Sequence, residues 1–128
     1  MNYEWIELET VLAIHDMQIE EHGGAVGIRD IGLIESALAR PGNLLDYGHP
    51  DVVELAASYG FGLAMNHGFI DGNKRTAYIV TRLFLRLHGM DFKASPIERV
   101  LAFEKLGKGE FTVGGFTQWL KENVNNTD

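Results

Sequence analysis

The stretch that most limits what this chain can fold into is residues 73 to 88. Thr76, Val80, Leu83 and Leu87 share one helical face, Ala77 and Phe84 flank it, and Gly89 is a stop. A helix of this length has to bury that stripe against other elements. The rest of the chain offers mainly helices for the purpose. Leu8, Leu12, His15 and Ile19 step by four, three and four, and Gly23-Gly24 ends that segment. Asp30 is an N-cap for a helix from Ile31 to Ala39, which Pro41 should stop. Residues 52 to 66 are rich in Val, Leu, Ala and Met and read as a helix ending near Asn66-His67. Ser95-Pro96-Ile97-Glu98 is a capping box with proline at the first helical position, opening a helix to about Leu106. A last helix starts near Thr112 and carries Phe116, Trp119 and Leu120 in spite of Gly114 and Gly115. Period-two alternation is absent, apart from a candidate short hairpin in residues 42 to 50. The expectation is an all-α fold, a compact helical bundle of about six helices. At 128 residues it should be one domain, spanning 1–128.

The chain has no cysteine, which excludes disulfides and thiolate metal sites. It begins Met-Asn-Tyr-Glu-Trp, acidic and without the basic-then-apolar layout of a signal peptide. No apolar run approaches the roughly 20 residues a membrane helix needs. A cytoplasmic protein with no membrane contact is expected. The formal charge of −7 is unevenly placed: residues 1 to 50 hold nine acids against Arg29 and Arg40, whereas residues 51 to 128 hold nine of each sign. The acidic first half disfavours direct nucleic-acid binding, which needs cations for phosphates. The balanced second half leaves room for a local cationic pocket.

The chemistry concentrates in His67-Gly68-Phe69-Ile70-Asp71-Gly72-Asn73-Lys74-Arg75, which joins two expected helices. A helix start near Gly72 or Asn73 presents unpaired backbone N–H groups and partial positive charge, a natural anion site. Gly72 removes the side chain that would hold a phosphate away from the backbone. Lys74 and Arg75 lie in the first turn, where the dipole disfavours cations by about 0.3–1 kcal/mol each. A bound phosphate would turn both cations and the dipole to one purpose. Asp71 is a hard oxygen ligand suited to Mg²⁺ shared with such phosphates. His67 lies across the loop, and an imidazole, ordinarily titrating near about pH 6.5, can take a hydroxyl proton. Taken by itself, the segment fits a second reading equally well: Asp71 as an N-cap, Lys74 and Arg75 as solvated charges, and His67 as a residue favoured by a helix C-terminus.

These residues resemble the signature of the Fic/Doc superfamily, His-x-Phe-x-Asp/Glu-Gly-Asn-x-Arg-x-x-Arg in its Fic branch, through His67, Phe69, Asp71, Gly72, Asn73 and Arg75. The chain departs at Lys74, where Fic proteins that transfer AMP usually have Gly, and at Tyr78, where they have a second Arg. Both departures match the Doc-like (death-on-curing) pattern, His-x-Phe-x-Asp/Asn-Gly/Ala-Asn-Lys-Arg. The likeness extends to His15-Asp16, Gly23-Gly24, Gly27-Ile28-Arg29-Asp30, Gly32-Leu33 and Glu35 to Pro41.

The resemblance implies a Fic/Doc bundle in which His67 is the general base, Asp71 holds Mg²⁺, Gly72 and Asn73 form the anion hole, and Lys74 and Arg75 grip the phosphates of ATP. It further implies a toxin of a toxin–antitoxin pair that phosphorylates a threonine of translation elongation factor Tu and is neutralised by a Phd-type antitoxin. The alternatives are a Fic-type transferase of AMP or another phosphate-linked group, and a non-catalytic module on the same fold. A lysine filling the phosphate site should narrow the place where an α-phosphate would sit. No inhibitory Ser/Thr-x-x-x-Glu-Gly/Asn helix is found, so control is expected from a separate chain.

Other residues have blander readings. His15, on an apolar face, should be a hydrogen-bonded core histidine. His15, His22, His49 and His88 lack metal-ligand spacing. Arg29-Asp30 is a loop residue followed by an N-cap. Arg82 and Arg86 belong to a solvated face, with Arg82 within possible reach of the site edge. Phe116 and Trp119 fit either core or a partner surface.

Overall fold

The computed structural model describes residues 2–127, so Met1 and Asp128, the two ends of the expected domain, lie outside the described residues. Six helices follow one another: α1 (Leu8–His22), α2 (Ile31–Asp46), α3 (Val52–Asn66), α4 (Asn73–Leu87), α5 (Pro96–Gly107) and α6 (Val113–Asn123). Two three-residue strands, β1 (Met90–Phe92) and β2 (Val124–Asn126), pair antiparallel with Phe92 opposite Val124. The fold is all-α with a small sheet at one end. Among the described residues no helix is long and apolar enough to cross a membrane.

The centre of the bundle is α3, buried at every position from Leu55 to Gly60 and again from Gly62 to Ala64. Its two glycines admit its neighbours. A Cβ at Gly60 would run into the Thr81 hydroxyl on α4, and one at Gly62 would lie 2.8 Å from the Arg40 side chain and 3.1 Å from Ala37 on α2. Asp51 and Glu54 close a capping box at the start of α3, and Ser95 and Glu98 do the same for α5. The α4 stripe is buried at Thr76, Ala77, Val80, Thr81, Phe84 and Leu85. It is turned toward Ala77 and Phe84 relative to the expected face, and Leu87 is left largely exposed. Phe116 is fully buried under Phe103, and Trp119 stacks on Phe116 from the outside, which assigns both to the core side of α6.

Two expectations fail, and both concern residues 39 to 50. Pro41 does not stop α2, which continues to Asp46, and the candidate hairpin of residues 42 to 50 is mostly the last turn and a half of that helix. Proline inside a helix costs about 3 kcal/mol. Here Ile34, Ala37 and Pro41 form one buried stripe at helical spacing against α3, and tertiary packing keeps the helix going. The sheet lies elsewhere, where strands of three residues are too short for alternation to show in sequence. Asp91 of β1 is tied to α4 by Arg82, whose Nε and Nη2 donate to its carboxylate at 3.0 and 3.1 Å. Burial works to raise the Asp91 pKa, but those bonds and the Phe92 N–H outweigh it, and the net shift is downward. Arg82 is therefore held on β1 and does not reach the site edge.

Candidate active site

All six site residues expected from sequence line one cavity of about 570 Å³: His67, Asp71, Gly72, Asn73, Lys74 and Arg75. It is built where α3 ends and α4 begins.

α3 terminates at His67, the one non-glycine residue with positive φ among those described (φ 51°). The left-handed turn lifts the imidazole off the helix and leaves it exposed. The conformation is stabilised from a distance. Arg29 Nε donates to the His67 carbonyl at 2.7 Å and its Nη2 to the Asn66 carbonyl at 3.1 Å, satisfying two helix-end acceptors. Arg29 is thus a brace for the helix end that carries His67, a role its place in a loop did not suggest.

The loop is then closed on itself. Asn73 Nδ2 donates to the Phe69 carbonyl at 2.9 Å, and the Phe69 N–H donates to Asn73 Oδ1 at 3.0 Å. Phe69 is buried and stacks on His15, centroids 3.7 Å apart and planes within 7°. His15, only 3% exposed, donates from Nε2 to the Asp71 carbonyl at 2.7 Å. It is a hydrogen-bonded core histidine, and its ring also underlies Gly72, where an added Cβ would lie 3.5 Å away.

Gly72 is the N-cap of α4 in the left-handed conformation (φ 79°), and no side chain caps this helix. Asp71 is not the cap. Its Oδ1 accepts from the Gly72 N–H at 2.9 Å and its Oδ2 from the Ala25 N–H at 3.2 Å. These two amide bonds, first Ala25 and then Gly72, with the Arg75 and His15 charges behind them, hold the Asp71 carboxyl below its ordinary range. An exposed, ionised carboxylate beside an uncapped helix start fits a magnesium ion that takes one protein oxygen and several from phosphates. Among the described residues no group of three or more acidic or histidine side chains gathers to hold a metal unaided.

The two cations are engaged differently from the expectation. Lys74 does not fill the cradle: its stem crosses to α5 over Gly107, whose missing Cβ makes the room, and Nζ meets Glu104 at 2.8 Å. Arg75 Nη2 donates to the Gly23 carbonyl at 2.9 Å, tying the α1–α2 connection to α4. Glu104 and Gly107 are site residues that sequence reading missed. They lie a full helix downstream of the motif, and nothing local marks them.

Residues 5–85 match the family model described as Fic/DOC family. The chain belongs to the Fic/DOC family. Within it, the chain is 36% identical over 94 residues to Toxin Doc of Mycolicibacterium smegmatis, covering 71% of this chain and 69% of that one. It is 37% identical over 92 residues to Protein kinase doc of Escherichia phage P1, covering 71% and 73%. As a Fic/DOC protein, it carries the motif loop within the matched span, while Glu104 and Gly107 lie beyond it.

Proposed function

We propose that this chain is a Doc-type toxin acting as a protein kinase, transferring the γ-phosphate of ATP to a threonine hydroxyl of a target protein. By the family resemblance that target is translation elongation factor Tu and the neutralising partner is a Phd-type antitoxin. The observation that carries the reading is the assembly, in one cavity, of an exposed histidine, an ionised carboxylate, an uncapped helix N-terminus and two cations. Similarity to a relative named a protein kinase and to one named a toxin supports the direction.

In this mechanism the target oxygen attacks the γ-phosphorus, the bond to the β-phosphate oxygen breaks, and ADP leaves. His67, exposed at the cavity wall, takes the hydroxyl proton. The free amides at the start of α4 stabilise charge as it shifts, the main source of catalysis in phosphoryl transfer, and the Lys74 and Arg75 side chains, which line the same cavity, would turn from Glu104 and the Gly23 carbonyl to the anionic group. Asp71 would hold Mg²⁺, which supplies further neutralisation of the phosphates when bound.

One observation favours a second reading. Because Lys74 lies along α5, the cradle at Gly72 keeps room for an α-phosphate, as AMP transfer requires. Mass spectrometry of elongation factor Tu incubated with the protein, ATP and Mg²⁺ separates the readings. A gain of one phosphate on threonine is expected; a gain of AMP would replace the proposal, and an unmodified target would remove it.

A further inference from the structure

Asp71 is held twice, once by its side chain and once by its backbone. Its carboxylate takes the Gly72 N–H at 2.9 Å and the Ala25 N–H at 3.2 Å, and its carbonyl accepts from His15 Nε2 at 2.7 Å. A trans peptide points its C=O and its N–H in opposite directions. With the Asp71 carbonyl drawn down onto buried His15, the Gly72 N–H must face away from the core, toward the exposed carboxylate. Gly72 follows this peptide at φ 79°. Glycine adopts positive and negative φ with similar ease, so its own backbone does not decide which way the peptide turns. The decision falls to the group beneath it. A Cβ at Gly72 would stand 3.5 Å from both Cδ2 and Nε2 of His15, and the ring is itself pinned in a parallel stack on Phe69.

We propose that His15 is a positioning residue that locks the Asp71–Gly72 peptide in the orientation magnesium and phosphate need, an assignment that rests on the nucleotide-transfer reading above. Its Nε2 faces a carbonyl, which only accepts, so the ring carries its proton there. Without that donor the peptide is free to turn over. The Asp71 carbonyl would then present its negative end to the cavity, and the Gly72 N–H would leave the carboxylate. The carboxylate loses one of the two amides that fix its direction, and the anion site gains an oxygen in place of a donor. Removing a group that orients a metal-binding carboxylate costs about 10–100-fold in metal affinity. His15 is not among the residues lining the cavity, so it acts on metal and phosphate only through this one peptide.

Two substitutions separate the donor from the ring. His15→Phe keeps the stack on Phe69 and removes the donor. His15→Gln keeps an N–H donor at the same bond distance from Cβ as imidazole Nε2 and removes the stack. Both are compared with the wild type on the full chain, first without ligand by amide NMR, then with Mg²⁺ and ATP by calorimetry. In the free protein, His15→Phe should move the Gly72 amide resonance and speed its exchange with deuterium, and His15→Gln should keep both near the wild type. The Mg²⁺ concentration that half-saturates the ATP complex should rise about tenfold or more in His15→Phe and stay within about threefold of the wild type in His15→Gln. A His15→Phe protein with the wild-type Gly72 amide and Mg²⁺ response overturns the proposal. So does a His15→Gln protein that is the more impaired of the two, since packing of the ring would then be what matters. Should His15→Phe fail to fold, His15→Gln decides alone, and a displaced Gly72 amide in it overturns the lock. If the free-state difference between the variants is found but the wild type binds no Mg·ATP, the lock stands and the nucleotide-transfer reading falls.

Discussion

In the proposed mechanism the chemistry turns on His67, whose turn is held by Arg29, a neighbour outside the cavity. The imidazole is exposed and carried on a left-handed residue, so removing it should leave the packing intact. His67→Ala is expected to lower phosphoryl transfer by about 10²–10⁴-fold with an unchanged melting temperature. A variant that modifies the target at the wild-type rate would show that the base is another group. Arg29 holds the same turn through its carbonyls but does not line the cavity. Arg29→Ala should cut kcat by about tenfold or more through misplacement of the base, with little change in KM for ATP. Lys74 and Glu104 set a different balance. Both side chains are close to half exposed, and such pairs are worth about 0.2–1 kcal/mol. If Lys74 serves the phosphates as proposed, Glu104 would compete with them for it, and Glu104→Gln should tighten ATP by up to about fivefold. Unchanged or weaker binding would mean that Glu104 assists the nucleotide instead. Residue by residue, the motif side chains were legible because spacing within one loop fixes what a helix start can present. Arg29, Glu104 and Gly107 were not, since each acts across a gap in sequence that only the folded bundle closes.

Among the elements, α4 departs most openly from local rules. It begins on a left-handed glycine, has no capping side chain, and places two cations where the dipole disfavours them. That conflict could be read in sequence and pointed to the site. Pro41 could not be read the same way, because the decision to continue α2 is made by burial against α3, not by the proline itself. Packing also sets how closely helices approach. Thr81 Oγ1 bonds to the Ala77 carbonyl at 2.7 Å, and it occupies the space a side chain at Gly60 would need. Gly60→Ala should therefore destabilise the fold by about 1–3 kcal/mol, read as a lower denaturation midpoint. Earlier on α4, the buried Thr76 hydroxyl finds no partner among the described residues. Thr76→Val should be neutral or stabilising by up to about 1 kcal/mol in the same measurement, and clear destabilisation would reveal a partner for that hydroxyl.

On the scale of the whole molecule, charge dominates. The nine acids of residues 1 to 50 are all exposed, a surface suited to a partner segment bearing Lys or Arg. If the proposed antitoxin binds through this surface, its association should slow as salt is raised; an association rate indifferent to salt would exclude this steering. Acid should unfold the protein for a related reason. Asp71, Asp91, Glu98 and Glu104 titrate below their ordinary values of 3.8 for Asp and 4.5 for Glu. They bind protons later when folded, so the stability they contribute is complete above those values and is lost as pH falls through the lowered ones. Melting temperature should be level from about pH 7 to 5 and fall steeply below about pH 4.

The segment from Gly23 to Asp30 is exposed at every residue, yet its polar groups reach the motif loop at many points. The Arg29 and Asp30 amides donate to Gly68, the Ala25 amide to the Asp71 carboxylate, and Ile70 returns a bond to Gly27. Segments joined this way, with little buried surface of their own, open together or not at all. The amides of Ala25, Arg29, Asp30 and Ile70 should thus exchange with deuterium through one shared opening, well before those of α3. A nucleotide held only at the start of α4 would slow exchange at Ala25, 46 residues upstream of the carboxylate that binds its amide.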